Sequence, residues 1–241
     1  MIPKIIHYCW FGSGQLTDSV KRIKDTWAKF NPDFEIVEWN EANFDINSNT
    51  YVREAYESKK YAFVSDYARL VALEKYGGIY LDTDVEVKRN LEKFLINDFT
   101  LGFESIDRIG TAVIISEPHI KLISDWKNSY DKRRFIVDGK YDTTTNVTFI
   151  TNYLRPYLEF NGTTQYIEGL NGTVYEKNVF YPYSIGDDKS TIDKDSYTVH
   201  WCDATWVSGK EMLKLNCIKS IKRIIGTDMY EHLRRKIKGI Q

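Results

Sequence analysis

Asp82 and Asp84 are two carboxylates one residue apart, directly behind the short apolar run Ile79-Tyr80-Leu81. That run is too short for a helix and follows Gly77-Gly78, so it reads as a buried strand. Carboxylates at i and i+2 on a strand end can converge on one hard cation. Mg²⁺ and Mn²⁺ are held by such oxygen ligands together with substrate phosphates. Upstream, Asp66 and Arg69 are three residues apart, a spacing that puts both on one helical face. An isolated Asp-x-Asp is as well explained by a solvated turn. The Gly-Gly stop, the strand and the upstream Asp and Arg make this one a compound signal.

The elements that must carry these groups follow from the pattern around them. Ala62, Val64, Ala68, Val71 and Ala72 fall mostly at helical spacing, with Ser65 as the expected N-cap and Gly77-Gly78 as the stop. Lys4 to Trp10 predicts a first strand. Thr17 or Asp18 then caps a helix with Val20, Ile23, Trp27 and Phe30 on one face, ended by Asn31-Pro32. Phe34 to Trp39 predicts the second strand. Strand, helix, strand in this space implies a βαβ unit and a parallel sheet, in which ligands gather at the carboxyl ends of the strands. Trp10 and Asp82 both stand at such ends. Val85 and Val87 read as a half-exposed strand, and 100–104 and 112–116 as further sheet strands. Glu117-Pro118 is expected to open a helix, 131–140 to be a mobile charged loop, and 175–183 to be strand-like. Tyr197 to Trp201 predicts the last strand. Glu104 and Asp107 read as structural or solvated carboxylates.

The run Ser65-Asp66-Tyr67-Ala68-Arg69, followed by Tyr76-Gly77-Gly78-Ile79-Tyr80-Leu81-Asp82-Thr83-Asp84, resembles the sugar-binding region of glycosyltransferase family 32. Its relatives include capsular polysaccharide glycosyltransferases and the glucosylating bacterial toxins. The resemblance implies a GT-A α/β fold, Rossmann-like, with a mostly parallel central sheet flanked by helices. It implies a nucleotide-sugar donor, UDP-linked with GDP-mannose as the open alternative, transfer with retention at the anomeric carbon, and a divalent metal. Asp66, Arg69 and Asp82 take the catalytic positions. The HYCWFG segment matches the family's first-strand motif, which puts Cys9 and Trp10 at the donor, with Trp10 against the base. Near the C-terminus, His200-Trp201-Cys202-Asp203-Ala204-Thr205-Trp206 matches a His-x-x-x-x-Ser-Trp pattern with Thr in place of Ser. There His200 joins Asp82 and Asp84 at the metal, and Thr205 and Trp206 contact the donor. A His beside two carboxylates suits Mn²⁺ somewhat better than Mg²⁺. Thr145-Asn146-Val147 departs from the family's Thr-Gly-Pro turn, so no role carries over to that turn.

Length and composition bound the rest. The chain has 241 residues, 42% of them hydrophobic, enough for one sizeable core. Residues 1–209 are expected to form the catalytic domain and 210–241 a basic helical C-terminal extension of it. A net charge of −1 gives no global field for nucleic acid. Three cysteines without C-x-x-C spacing suggest reduced thiols. The first residues lack a signal-peptide pattern and nothing approaches a membrane span, so a cytoplasmic bacterial enzyme is expected. From Lys210 on, nine Lys and Arg against three Asp and Glu, beside an apolar stripe, fit either a C-terminal helix packed on the sheet with a solvated basic face or peripheral contact with the inner membrane face. The acceptor is then a glycan, including one linked to a membrane lipid. Two other classes remain open at this level. A haloacid-dehalogenase-like phosphohydrolase also places Asp-x-Asp behind a strand, although Glu86 stands where it needs Thr or Val. A non-catalytic sugar-nucleotide-binding module would suit the 15% aromatic content.

Overall fold

The computed structural model describes residues 1–184, 187, 192, 194–202 and 210–238. The chain opens with β1 (Ile5–Cys9), α1 (Asp18–Phe30), β2 (Glu35–Trp39), α2 (Thr50–Glu57), α3 (Tyr61–Tyr76) and β3 (Gly78–Leu81). Next come β4 (Val85–Val87), β5 (Phe99–Ser105), β6 (Arg108–Ile109), β7 (Val113–Ser116) and α4 (Lys121–Asn128). A hairpin of β8 (Ile136–Val137) and β9 (Lys140–Tyr141) precedes α5 (Asn146–Leu154), β10 (Gln165–Ile167), β11 (Gly172–Tyr175) and α6 (Lys177–Phe180). The described chain ends with β12 (Thr198–His200), α7 (Lys210–Ile225) and α8 (Thr227–Lys238).

The main sheet runs in the order β10-β11-β5-β7-β3-β1-β2, with β6 paired to β5. The pairings β1–β2, β1–β3 and β5–β11 are parallel, whereas β7 runs against both β3 and β5. Five strands therefore point one way, and β6, β7 and β10 are reversed. The α/β architecture with a mixed, mostly parallel sheet matches the expectation. Its buried centre explains the sequence of β3 and β7, which have no exposed face and read as continuous apolar runs.

Local chemistry sets the boundaries near the site. Thr17 caps α1, accepting from the Val20 amide, and Ile23 and Trp27 are buried. Gly77 and Gly78 follow α3 at φ +63° and +103°. A Cβ on Gly78 would lie 2.6 Å from the Ile5 carbonyl oxygen, and one on Gly77 would lie 2.7 Å from Pro118. Only glycine meets both demands, left-handed backbone and close approach.

Four expectations are corrected. Ser65 is not an N-cap: α3 begins at Tyr61, and the Ser65 hydroxyl donates to the Tyr61 carbonyl within the helix. Phe63, Val64, Tyr67 and Leu70 are all buried, so α3 is covered on several sides and its periodicity does not mark its start. Pro118 opens no helix; α4 starts at Lys121, after His119 at φ +60°. The 131–140 segment is pinned rather than loose. Arg133 lies over the Tyr51 and Tyr130 rings, Arg134 pairs with Glu54, and Glu54 accepts the Phe135 and Ile136 amides. The strand near 175–183 stops at Tyr175 and gives way to α6.

Gly78→Ala combines a positive φ with a backbone clash. It is expected to cost about 2–4 kcal/mol of stability, read as a lowered urea midpoint at unchanged slope.

Candidate active site

Because β1 and β3 are parallel neighbours, their carboxyl ends lie on the same side of the sheet. Trp10 follows β1 there and Asp82 follows β3. The Asp82 amide donates to the Ala112 carbonyl (2.9 Å), and the Val85 amide donates back to the Asp82 carbonyl (3.0 Å), closing a tight turn through Thr83 and Asp84. The turn is clamped on its far side: Trp27 Nε1 donates to the Val85 carbonyl (2.7 Å), and the Val87 amide donates to Thr26 Oγ1 (3.0 Å). Outside the main sheet, β4 pairs antiparallel with β12 and sets His200 opposite Val85. The Trp201 amide then donates to the Asp84 carbonyl (3.0 Å), and His200 Nε2 lies 3.3 Å from Asp84 Oδ1. One ligand atom from each of Asp82, Asp84 and His200 falls within 4.8 Å of the other two. The three expected metal ligands are brought together, and two hard carboxylates with one imidazole suit Mn²⁺ or Mg²⁺.

Arg69 organises the opposite wall. Its guanidinium is only 4% exposed, and four of its N–H donors have acceptors. Nε donates to the Ser65 carbonyl (3.2 Å) and Nη1 to the Thr111 carbonyl (2.8 Å). Nη2 bridges Asp66 Oδ1 (2.9 Å) and Asp82 Oδ1 (3.2 Å). The group also lies over the Tyr80 ring at 4.4 Å, and the Tyr80 hydroxyl donates to Asp82 Oδ1 (2.9 Å). So occupied, Arg69 holds two carboxylates in place and has little left for a sugar. Asp66 keeps an accessible edge. Burial raises its pKa to about 6 against the pull of Arg69.

The His200 imidazole rests edge-on against the buried Tyr181 ring, with centroids 6.1 Å apart. Burial opposes a charge on it. The hydrogen bond and charge of Asp84, with the Cys202 sulfur 3.6 Å from Nδ1, outweigh that and raise its pKa well above the ordinary value. Glu104 stands close enough to feel His200, Arg108 and Arg234, and burial raises its pKa.

The donor residues inferred from the first-strand motif are placed differently. Trp10 is half-buried, and its Nε1 donates to the Gly14 carbonyl (2.6 Å). Glu41 fastens this loop, accepting the Gly12 amide (2.7 Å) and the Tyr56 hydroxyl (2.9 Å). The Cys9 thiol is buried in the core, and burial pushes its pKa up to about 12, so its side chain stays a neutral packing group. Thr205 and Trp206 lie outside the described residues. A cavity of about 570 Å³ beside β2 is lined by His7, Trp39, Tyr67 and Tyr76 and includes none of the site carboxylates.

Residue reasoning missed Asn146. It is 1% exposed, its Nδ2 donates to the Asp66 carbonyl (2.8 Å), and its Oδ1 accepts from Trp126 Nε1 (2.8 Å) and the Tyr130 hydroxyl (2.7 Å). The only signal was the departure of Thr145-Asn146-Val147 from the family's turn, which did not say what the asparagine holds.

Two outcomes follow from this geometry. Arg69→Met strands Asp66 and Asp82 without their shared cation and should cost about 3–5 kcal/mol, measured by urea unfolding. Asp66 has a folded pKa of about 6, above the unfolded 3.8, so its contribution to stability is present below the unfolded value and lost as pH rises through about 6. Asp66→Asn should therefore gain on the native protein between pH 4 and pH 7, by up to about 3 kcal/mol, in metal-free unfolding series.

Residues 17–100 match the family model described as a glycosyltransferase sugar-binding region containing DXD motif. The chain is 25% identical over 230 residues to an uncharacterized glycosyltransferase of Acanthamoeba polyphaga mimivirus, covering 89% of this chain and 88% of that protein. It is 33% identical over 98 residues to inositol phosphoceramide mannosyltransferase 3 of Schizosaccharomyces pombe, covering 39% of this chain and 27% of that protein. A solved glycosyltransferase involved in the glycosylation of the major capsid of PBCV-1 aligns with 83% of this chain and 94% of its own, at 13% identity and a TM-score of 0.46. The family match spans α3, the glycine stop and the carboxylate turn, and residues 17–100 are the DXD-containing sugar-binding region of a glycosyltransferase, with the motif at Asp82-Thr83-Asp84.

Proposed function

We propose that the chain transfers a hexose or N-acetylhexosamine from a nucleotide sugar, UDP-linked, to a glycan acceptor in bacterial surface-polysaccharide synthesis, with retention at the anomeric carbon. One observation carries this reading: ligand atoms of Asp82, Asp84 and His200 gather within 4.8 Å, with Asp66 fixed to the same Arg69 that touches Asp82. Asp82, Asp84 and His200 would hold the divalent metal, Mn²⁺ or Mg²⁺. Once bound, it supplies positive charge to the diphosphate that leaves with the nucleotide. Asp66 accepts hydrogen bonds from sugar hydroxyls and fixes the ring for attack. Arg69 keeps Asp66 and Asp82 in register, and Trp10 forms the base end of the donor cleft, with Cys9 contributing to the donor side only through its place in the strand that presents Trp10. Thr205 and Trp206 complete the donor contacts in this reading. A phosphohydrolase needs a free aspartate nucleophile, whereas Asp82 is already engaged by Arg69 and Tyr80. A binding module has no use for the metal set. Retention, UDP and the bacterial setting rest on the family resemblance, and a cytoplasmic location goes with them.

The test separates the two carboxylate groups. With Mn²⁺, the native protein should bind UDP and slowly hydrolyse a UDP-sugar without acceptor. Asp84→Asn should abolish Mn²⁺-dependent UDP binding in calorimetry while remaining folded. Asp66→Ala should bind UDP within about threefold of native yet lose hydrolysis by about a hundredfold or more. Unchanged metal-dependent UDP affinity in folded Asp84→Asn rejects the metal assignment. An equal fall of UDP affinity and turnover in Asp66→Ala rejects the sugar role.

A further inference from the structure

In a helix docked on a core the apolar side is buried and the polar side faces water. Among the described side chains of α7 and α8, a lysine is buried while large apolar side chains are left in solvent. Lys222 is buried, 3.8 Å from Asp187 Oδ1 and over the Tyr230 ring. The positive charge of Arg234 reaches Glu104 and Asp107 beside the metal-ligand set. Facing outward instead are Ile221, Ile224, Ile225, Met229, Leu233 and Ile237, between 37% and 85% exposed. Ile221, Ile224 and Ile225 share one face of α7, and Met229, Leu233 and Ile237, four residues apart, share one face of α8, with Gly226 at φ +81° between the helices. Single exposed apolar residues need no explanation, but three on one face of each of two successive helices do.

We infer that these apolar residues dock on an anionic lipid bilayer and set the sugar-transfer site at the membrane surface. Charge selects the occupant. Residues 210–241 carry nine Lys and Arg against three Asp and Glu, a local +6 in a chain of net −1. Arg223 and Lys236 are exposed next to these apolar residues. A second copy of the chain would bring two such +6 segments together across a symmetric contact, whereas anionic headgroups neutralise them. The apolar residues supply the insertion and the basic residues the attraction, the pattern of an interfacial helix. Arg234 of α8 lies close enough to Glu104 for its charge to be felt there, and Glu104 is also near His200, so this part of α8 lies toward the proposed metal set. An acceptor carried on a membrane lipid would then be presented where the donor is held. The inference adds a partner to the proposed transferase but does not depend on its chemistry.

Flotation tests it without any turnover. Full-length protein is mixed at low salt with vesicles of phosphatidylcholine alone, or with about one third phosphatidylglycerol, and spun through a density gradient. It should float with the anionic vesicles, stay behind with the neutral ones, and be largely released at about 0.5 M salt. The pairs Ile224→Asp with Ile237→Asp, and Arg223→Glu with Lys236→Glu, should each lower the bound fraction about tenfold or more. Both pairs alter exposed side chains and should melt like the native protein. Three results overturn the inference: no flotation with anionic vesicles at low salt, equal flotation of folded variants, or a dimer in light scattering that Ile224→Asp converts to monomer.

Discussion

A guanidinium with 4% exposure is tolerated only if its charge and donors are met, and at Arg69 that requirement ties three parts of the chain together. Transfer of an unpaired charge to such a place costs several kcal/mol or more. The acceptors come from α3 itself, through Ser65 and Asp66, from the end of β3, through Asp82, and from the segment entering β7, through Thr111. None of these can shift without stranding the cation. The pair of carboxylates that sequence reading assigned to chemistry is thus also the counter-charge for a buried residue. Fold and candidate site share one electrostatic solution, with α3 held against the sheet end by Asp66 and Asp82 themselves.

Topology does the rest of the positioning. A parallel β1–β3 pair puts Trp10 and Asp82 at neighbouring strand ends, as open α/β sheets do. The metal-ligand set is finished outside that sheet, by the short β4–β12 ladder. This ladder is fixed on the other side by α1, through Trp27 and Thr26. His200 therefore reaches Asp84 through backbone pairing, not through a flexible side-chain search, and Tyr181 supports its ring from beneath.

Much of this was legible in the sequence because the relevant signals are local. The Gly-Gly stop, the apolar strand and the Asp-x-Asp turn lie within a few residues, and each dictates its own conformation. Signals failed where the decisive partner is distant. Ser65 looks like a cap until the burial of Phe63 and Val64 shows that the helix began earlier. Arg133 and Arg134 look like a solvated basic run until Tyr51, Tyr130 and Glu54 come to meet them. Asn146 reads as an unremarkable polar residue, yet it joins the Asp66 backbone to Trp126 and Tyr130. Arg69 was put beside Asp66 by helical spacing and given a catalytic position by the family resemblance. Spacing shows which residues share a face, but not how many acceptors the protein itself provides. The exposed apolar residues of α7 and α8 lay between these cases: the apolar pattern and the charges are in the sequence, and their exposure is not.

The Asp84–His200 pair explains how the three side chains of the candidate metal cluster can sit together without burdening the fold. Two carboxylates and an imidazole in one cluster would carry unbalanced negative charge if the ring were neutral. Instead Asp84 raises the His200 pKa well above its usual value, and the proton on the ring supplies the missing positive charge. Because that pKa is raised on folding, the stabilisation is complete below the ordinary imidazole range and fades as pH climbs through the folded value. Under the proposed metal role, His200 would give up this proton to become a ligand, so binding there would release a proton. Arg69 serves Asp66 and Asp82 in the same way, but with a charge that no accessible pH removes. One positive charge in the cluster is therefore permanent and the other, on His200, is set by pH, and the second stands within the candidate metal cluster.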